Sequence, residues 1–298
     1  MKLRDRWHTI VEKKNSVLCA GIDPPPFAMG RGDKGLPSGI SKRDWVFSYL
    51  EAVSPFCAAV KPNLQYWKGE EDPEILTQVY SYAGEYDLLV IEDSKLADIG
   101  STNEAGIYHA ARRSDAVTLA PFAGNMQEAC RQAAGLNIGI IPMCLMSNPQ
   151  YNREKMKLVP LESGDEEELE QYKPEDRIKS DACTYVPQYL FLAKEASSNG
   201  ADAIVLGAPS DANHIQPEEI ARAGSYCRND MLVLAPGVGA QGGEASVLFD
   251  VFGAMRVIVN IGRALMFPHG STSTPDQQSD AANRYKNHLN RVRRDRKS

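Results

Sequence analysis

Eight short apolar runs, separated by amphipathic helical patterns, constrain this chain more than any other feature. They are SVLCAGID (16–23), CAAVKPN (57–63), DLLVIEDS (87–94), AVTLAP (116–121), NIGIIPMCL (137–145), ADAIVLGA (201–208), MLVLAPGVG (231–239) and RVIVNIG (256–262). Near-continuous hydrophobicity, rather than strict alternation, marks strands buried on both faces, and intervening helices make such strands the βα units of a parallel sheet. Eight units predict an α/β protein with a closed (β/α)8 TIM barrel; an open doubly wound sheet is the alternative, since periodicity does not report closure. A chain of 298 residues suits one barrel domain over 1–298.

The intervening helices have readable ends. Ser41 and Asp44 have capping-box spacing ahead of Val46, Leu50 and Val53, and Asp72-Pro73 opens a helix with Ile75, Leu76, Val79 and Tyr80 on one face. Asn125 and Glu128 repeat the capping pattern, and Gly135 fits a C-terminal stop. Strand starts lie roughly 22 to 41 residues apart, except for about 64 between the fifth and sixth. An insertion over 148–182, polar and with an acidic run from Asp165 to Glu168, is expected there as a solvated excursion with a little helix. The basic C-terminal stretch, with Arg284, Arg291, Arg293, Arg294 and Arg296, is expected to be the solvated end of a last helix, its cations complementing the dipole.

Charge narrows the partners. Thirty-three Lys and Arg against 39 Asp and Glu give a net charge of −6, which argues against a nucleic-acid or anionic-membrane surface. The N-terminus lacks an apolar signal core and no run reaches the ~20 residues of a membrane helix, so a cytoplasmic location is expected. Six scattered cysteines without C-x-x-C read as free thiols, and five scattered histidines offer no zinc spacing. Neither a cofactor motif nor a metal site is expected.

The chemistry gathers at strand ends. In IEDSKLADIGSTN (91–103), Asp93 and Lys95 are two apart, so an extended strand points both to one face, while Asp98 falls on the following loop. Lys61 closes the second run, with Pro62 marking its exit, and Asp23 closes the first. A charge at the end of an apolar strand is costly unless it pairs or serves a ligand. After the seventh run, APGVGAQGG satisfies G-x-G-x-x-G, but no acidic residue follows at the spacing a ribose contact needs. Together with Gly262-Arg263 it suits instead the phosphate site that barrels build after strands seven and eight.

The set GIDP, VKPN, EDSKLADIGSTN, PGVGAQGG and IGR, in this order, resembles the orotidine 5′-monophosphate decarboxylase family from residue 16 to about 267. A related group of magnesium-using barrel enzymes acting on sugar phosphates shares D-x-K-x-x-D but carries an acid where this chain has Lys61, which favours the nucleotide enzymes. The resemblance implies conversion of orotidine 5′-monophosphate (OMP) to UMP in pyrimidine biosynthesis, without cofactor or metal. It implies a catalytic array of Lys61, Asp93, Lys95 and Asp98, in a homodimer whose Asp98 and Thr102 reach the neighbouring subunit's site. It further implies substrate contacts from Asp23 to the ribose, from Ser147 and Pro236 beside the base, and from Gln241 and Arg263 to the phosphate. The long insertion after Ser147 departs from compact members of the family. The remaining alternatives are a magnesium-dependent sugar-phosphate decarboxylase or synthase, a non-catalytic nucleotide-binding barrel, and a Schiff-base aldolase. Carboxylates around Lys95 disfavour the last, because they hold it as ammonium.

Overall fold

The computed structural model describes residues 2–161, 166–180, 183–238 and 244–294. Each apolar run gives one strand, the third extending two residues beyond its run: β1 (Leu18–Ile22), β2 (Ala59–Pro62), β3 (Leu89–Leu96), β4 (Ala116–Leu119) and β5 (Gly139–Leu145) precede the insertion. The insertion contributes β6 (Leu158–Pro160), β7 (Ile178–Lys179) and β8 (Thr184–Pro187), and the run then resumes with β9 (Ala203–Leu206), β10 (Leu232–Pro236) and β11 (Val257–Ile261). The eight long-run strands pair in parallel in the order β1-β11-β10-β9-β5-β4-β3-β2 and close on themselves, giving the (β/α)8 barrel. Closure leaves no unpaired edge, and the barrel strands' Val, Ile and Leu side chains are buried except for Leu96, which is half-buried. At the C-terminal mouth a Cβ on Gly21 would stand 2.9 Å from Gly262 Cα, so the approach of β1 to the turn after β11 requires glycine.

The helices follow their stripes. Lys42–Val53 starts with Ser41 accepting the Asp44 N–H at 3.3 Å, and Asp72–Glu85 buries Ile75, Leu76, Val79 and Tyr80. Asn125 and Glu128 depart from the expected capping box of Met126–Ala133. Asn125 Nδ2 donates to the Asp98 carbonyl at 2.9 Å, and Glu128 Oε2 accepts the Gly100 N–H at 3.0 Å. Both side chains serve the loop after β3 rather than their own helix.

The insertion is more structured than its polarity suggests. β6, β8 and β7 form a three-stranded antiparallel sheet, whose β8 lies beyond the expected end at residue 182 and leads into the helix Gln188–Ser198. Buried Lys155 ties it to the barrel through Glu219 at 2.7 Å and the His214 carbonyl at 2.7 Å. Part of the acidic run, Asp165, lies outside the described residues. The last helix, Pro275–Arg294, also departs from a fully solvated end, because Arg293 is buried and donates to Asn15 Oδ1 at 2.7 Å. Cys19, Cys57 and Cys144 are buried, with burial pushing the Cys19 thiol up to about 12. Among the described residues, no helix is long and apolar enough to cross a membrane.

Candidate active site

The direction in which β3 presents its charges is settled by Glu92. Its carboxylate accepts from Tyr80 Oη at 3.0 Å and Arg113 Nε at 2.7 Å, both on the helical layer, so Glu92 faces outward. Asp93, the next residue, therefore faces the barrel interior. There Asp93 Oδ2 accepts from Lys61 Nζ of β2 at 2.5 Å, and Oδ1 accepts from Lys95 Nζ at 2.6 Å and Thr118 Oγ1 of β4 at 3.0 Å. One carboxylate thus gathers two ammonium groups and a hydroxyl from three adjacent strands.

Asp93 and Lys95 meet, but not by simple alternation. Lys95 has a left-handed backbone (φ 54°), and the β3–β4 register shifts between Glu92 and Leu96. A non-glycine residue in that region costs on the order of 1–3 kcal/mol and persists only where its surroundings hold it. Thr118 does so: its hydroxyl accepts the Lys95 N–H at 2.9 Å while donating to Asp93. The kink lifts Lys95, about one third exposed at 35%, above the buried Lys61–Asp93 pair at 7% and 10%. Lys95 is therefore the ammonium open to a bound molecule.

The electrostatics follow from this packing. Burial pushes the Asp93 carboxyl up, but the charges of Lys61 and Lys95 outweigh it and hold Asp93 well below the usual carboxylate range. Burial disfavours the Lys61 ammonium, yet Asp93 and Asp23 override it and hold Lys61 above the ordinary lysine value. Both groups are charged at neutral pH. Asp23 is shifted upward by burial, against the pull of Lys61.

Across the mouth, Asp23, Pro236, Asn260 and Arg263 line a cavity of about 150 Å³. Among the described residues, Asp23 Oδ1 and Asn260 Oδ1 are buried there without a hydrogen-bond partner. Two unsatisfied acceptors are costly when dry, and hydroxyl donors of a ligand would satisfy them. Arg263 is exposed at the start of the short helix Arg263–Met266, beside the cavity. Ser147 lies just past β5, where a Cβ on Gly207 would meet its Cβ at 3.2 Å. Gln241 falls outside the described residues.

Asp98 and Thr102 do not join this cluster within one chain. Asp98 is exposed and its carboxylate accepts the Ile99 N–H at 2.8 Å; Thr102 is exposed in the first turn of Gly100–Ala111. Their loop is nevertheless fastened. Besides the contacts from Asn125 and Glu128, Gln132 Nε2 donates to the Gly100 carbonyl at 3.1 Å and Gln132 Oε1 accepts from Asn103 at 3.1 Å. Gly100 itself is left-handed (φ 57°). Ile99 and Phe122, 58% and 81% exposed, present apolar surface on the loops after β3 and β4.

Thr118 and Asn260 were not singled out by the strand-end reading. Thr118 is the lone polar residue of AVTLAP, and Asn260 interrupts the apolar stretch that follows Arg256 in RVIVNIG. A polar group in a buried strand needs a partner, and that is the signal that finds them.

The family model described as "Orotidine 5'-phosphate decarboxylase / HUMPS family" matches residues 16–266. The chain is 31% identical over 284 residues to an orotidine 5′-phosphate decarboxylase of Leptothrix cholodnii, covering 91% of this chain and 89% of that protein. It is 28% identical over 305 residues to an orotidine 5′-phosphate decarboxylase of Halorubrum lacusprofundi, covering 95% and 96%. The fold is similar to that of the solved Leishmania donovani OMP decarboxylase, with a TM-score of 0.70 at 20% identity over 98% of this chain and 99% of that one.

Proposed function

The chain belongs to the orotidine 5′-phosphate decarboxylase family, and from that premise we propose that it is a carboxy-lyase converting OMP to UMP, without a metal and with Lys95 as proton donor. The observation that carries the reading is the Lys61–Asp93–Lys95 array at 2.5 and 2.6 Å inside the barrel mouth. Loss of CO2 breaks the C6–carboxylate bond and leaves its electron pair on C6, where no adjacent carbonyl or imine delocalises it. A fixed ammonium beside C6 stabilises that pair as it develops, because its charge is already oriented by Asp93 and needs no reorganisation. The Lys95 proton then moves to C6, giving the C6–H bond of UMP, and the neutral amine regains a proton from solvent. Lys61 keeps Asp93 ionised, and Asp93 holds the Lys95 side chain in place through their 2.6 Å contact until the transfer.

The other residues act through binding. Asp23 accepts from ribose hydroxyls with Lys61 nearby, Ser147 and Pro236 flank the base, and Arg263 and Gln241 take the phosphate. A metal-dependent sugar-phosphate reaction needs carboxylates free to hold the ion. Here Asp93 is already saturated by two ammonium groups and a hydroxyl. The test is to add OMP to purified protein in excess EDTA and follow the ultraviolet change as orotate becomes uracil. Full turnover is expected; conversion that appears only when magnesium is restored contradicts the reading.

Asp98 and Thr102 complete the site from a second copy of the chain. Their exposure and the apolar Ile99 and Phe122 beside them support this, since an isolated charge next to exposed apolar side chains is what a symmetric interface covers. Mixing two inactive proteins, Lys95→Ala and Asp98→Ala, tests it. Random exchange gives half heterodimers, each with one intact site, so activity should recover to about one quarter of wild type. No recovery after verified exchange would place Asp98 outside the partner's site.

A further inference from the structure

On the outer side of Arg263 lies a second cleft, of about 730 Å³, which the decarboxylation leaves unused. Its walls bring together three distant parts of the chain: Lys34 from the long loop after β1, Arg263 and Phe267 from the turn after β11, and Arg284, Tyr285 and His288 from the last helix. Arg284 and His288 are one helical turn apart and share a face. Among the described residues no carboxylate lines the cleft, and Asp33, next to Lys34, packs instead against Gly270.

Several less exposed cations elsewhere meet a carboxylate, as Lys42 does Asp72, Arg113 Glu92 and Lys155 Glu219. Among the described residues, Lys34, Arg263 and Arg284 form no salt bridge. Three unpaired cations around one hollow, in a chain of net charge −6, repel one another until an anion enters. The hollow, at about 730 Å³, has room for more than a single phosphate. A chain of two or three phosphates carries its charge along its length, which suits cations contributed by three elements.

We propose that this cleft binds a condensed phosphate chain, either free or carried by a nucleoside di- or triphosphate, and that its occupant competes with substrate for Arg263. Both cavities share that guanidinium, so an anion in the outer cleft draws it away from the substrate phosphate. Occupancy then raises KM for OMP without changing kcat, since the Lys95 array is untouched. Tyr285 and buried Phe267, which is stacked on Trp45 at 5.3 Å, form an apolar wall against which a nucleobase would lie. The effect on KM rests on the function proposed above; the binding itself does not.

The test compares wild type with the Lys34→Ala/Arg284→Ala double variant, neither residue belonging to the catalytic or substrate-binding set. Titration calorimetry with inorganic tripolyphosphate and with ATP measures binding, and OMP kinetics with each anion measure the consequence. Loss of two cations should weaken tripolyphosphate binding by about tenfold or more, and at a saturating dose wild type should show KM raised about fivefold or more with kcat unchanged. The double variant without anion should keep wild-type kinetics. ATP binding more tightly than tripolyphosphate supports a nucleotide-borne chain; equal binding supports the phosphate chain alone. Equal affinity in both proteins, or no binding heat in wild type, overturns the proposal. Tripolyphosphate binding in a protein that fails to turn over OMP would leave the cleft standing and sink the decarboxylase reading.

Discussion

Lys95→Ala is expected to lower kcat by about 10⁴-fold or more while UMP still binds within about tenfold of wild type. The magnitude combines two losses. A positioned general acid contributes about 10²–10⁴-fold, and one preorganised charge aimed at the developing carbanion contributes about 10²–10³-fold. The fold should survive, because the Lys61–Asp93 pair at 2.5 Å remains and Lys95 is about one third exposed at 35%. A pair with one such partner contributes roughly 1 kcal/mol to stability or less. Single-turnover kinetics and UMP titration calorimetry on one preparation check both parts. Near-normal turnover would remove Lys95 from the chemistry.

Arg263→Ala should depress kcat/KM by about 10²–10⁴-fold, a range set by two hydrogen bonds to a charged group at roughly 1.5–3 kcal/mol each. The phosphate lies far from C6, and distance alone would confine the loss to KM. Remote binding energy, however, also holds the substrate in its reactive position, and part of the loss is therefore expected in kcat. Arg263 is exposed and forms no salt bridge among the described residues, so the melting temperature should move little. Steady-state kinetics with OMP, beside a thermal melt, separate a binding role from a folding one. An unchanged kcat/KM would assign the phosphate to other groups.

What was legible in the sequence follows from what burial does to composition. The eight barrel strands stood out because strands covered on both faces must be apolar throughout, and the charges at their C-terminal ends stood out against that background. Closure of the sheet was not readable, since pairing of β1 with β11 joins residues some 240 positions apart. The left-handed backbone at Lys95 was also hidden, because side-chain periodicity assumes the extended geometry that the kink departs from. Asn125 and Glu128 have the spacing of a cap, yet a stronger call on them comes from the Asp98–Gly100 loop, which only the folded chain brings near. The sheet of the insertion escaped notice because strands of two to four residues, two of them largely exposed, carry too little pattern to register.

The central claim is that an ammonium group stabilises an undelocalised electron pair on C6 and then protonates that carbon. Running the reaction in deuterium oxide and reading UMP by proton NMR tests it most directly. Wild type should give product with deuterium at C6 and hydrogen at C5, and Lys95→Ala should form no product above the uncatalysed background. Deuterium at C5, or C6-labelled product formed by Lys95→Ala at the wild-type rate, would contradict it.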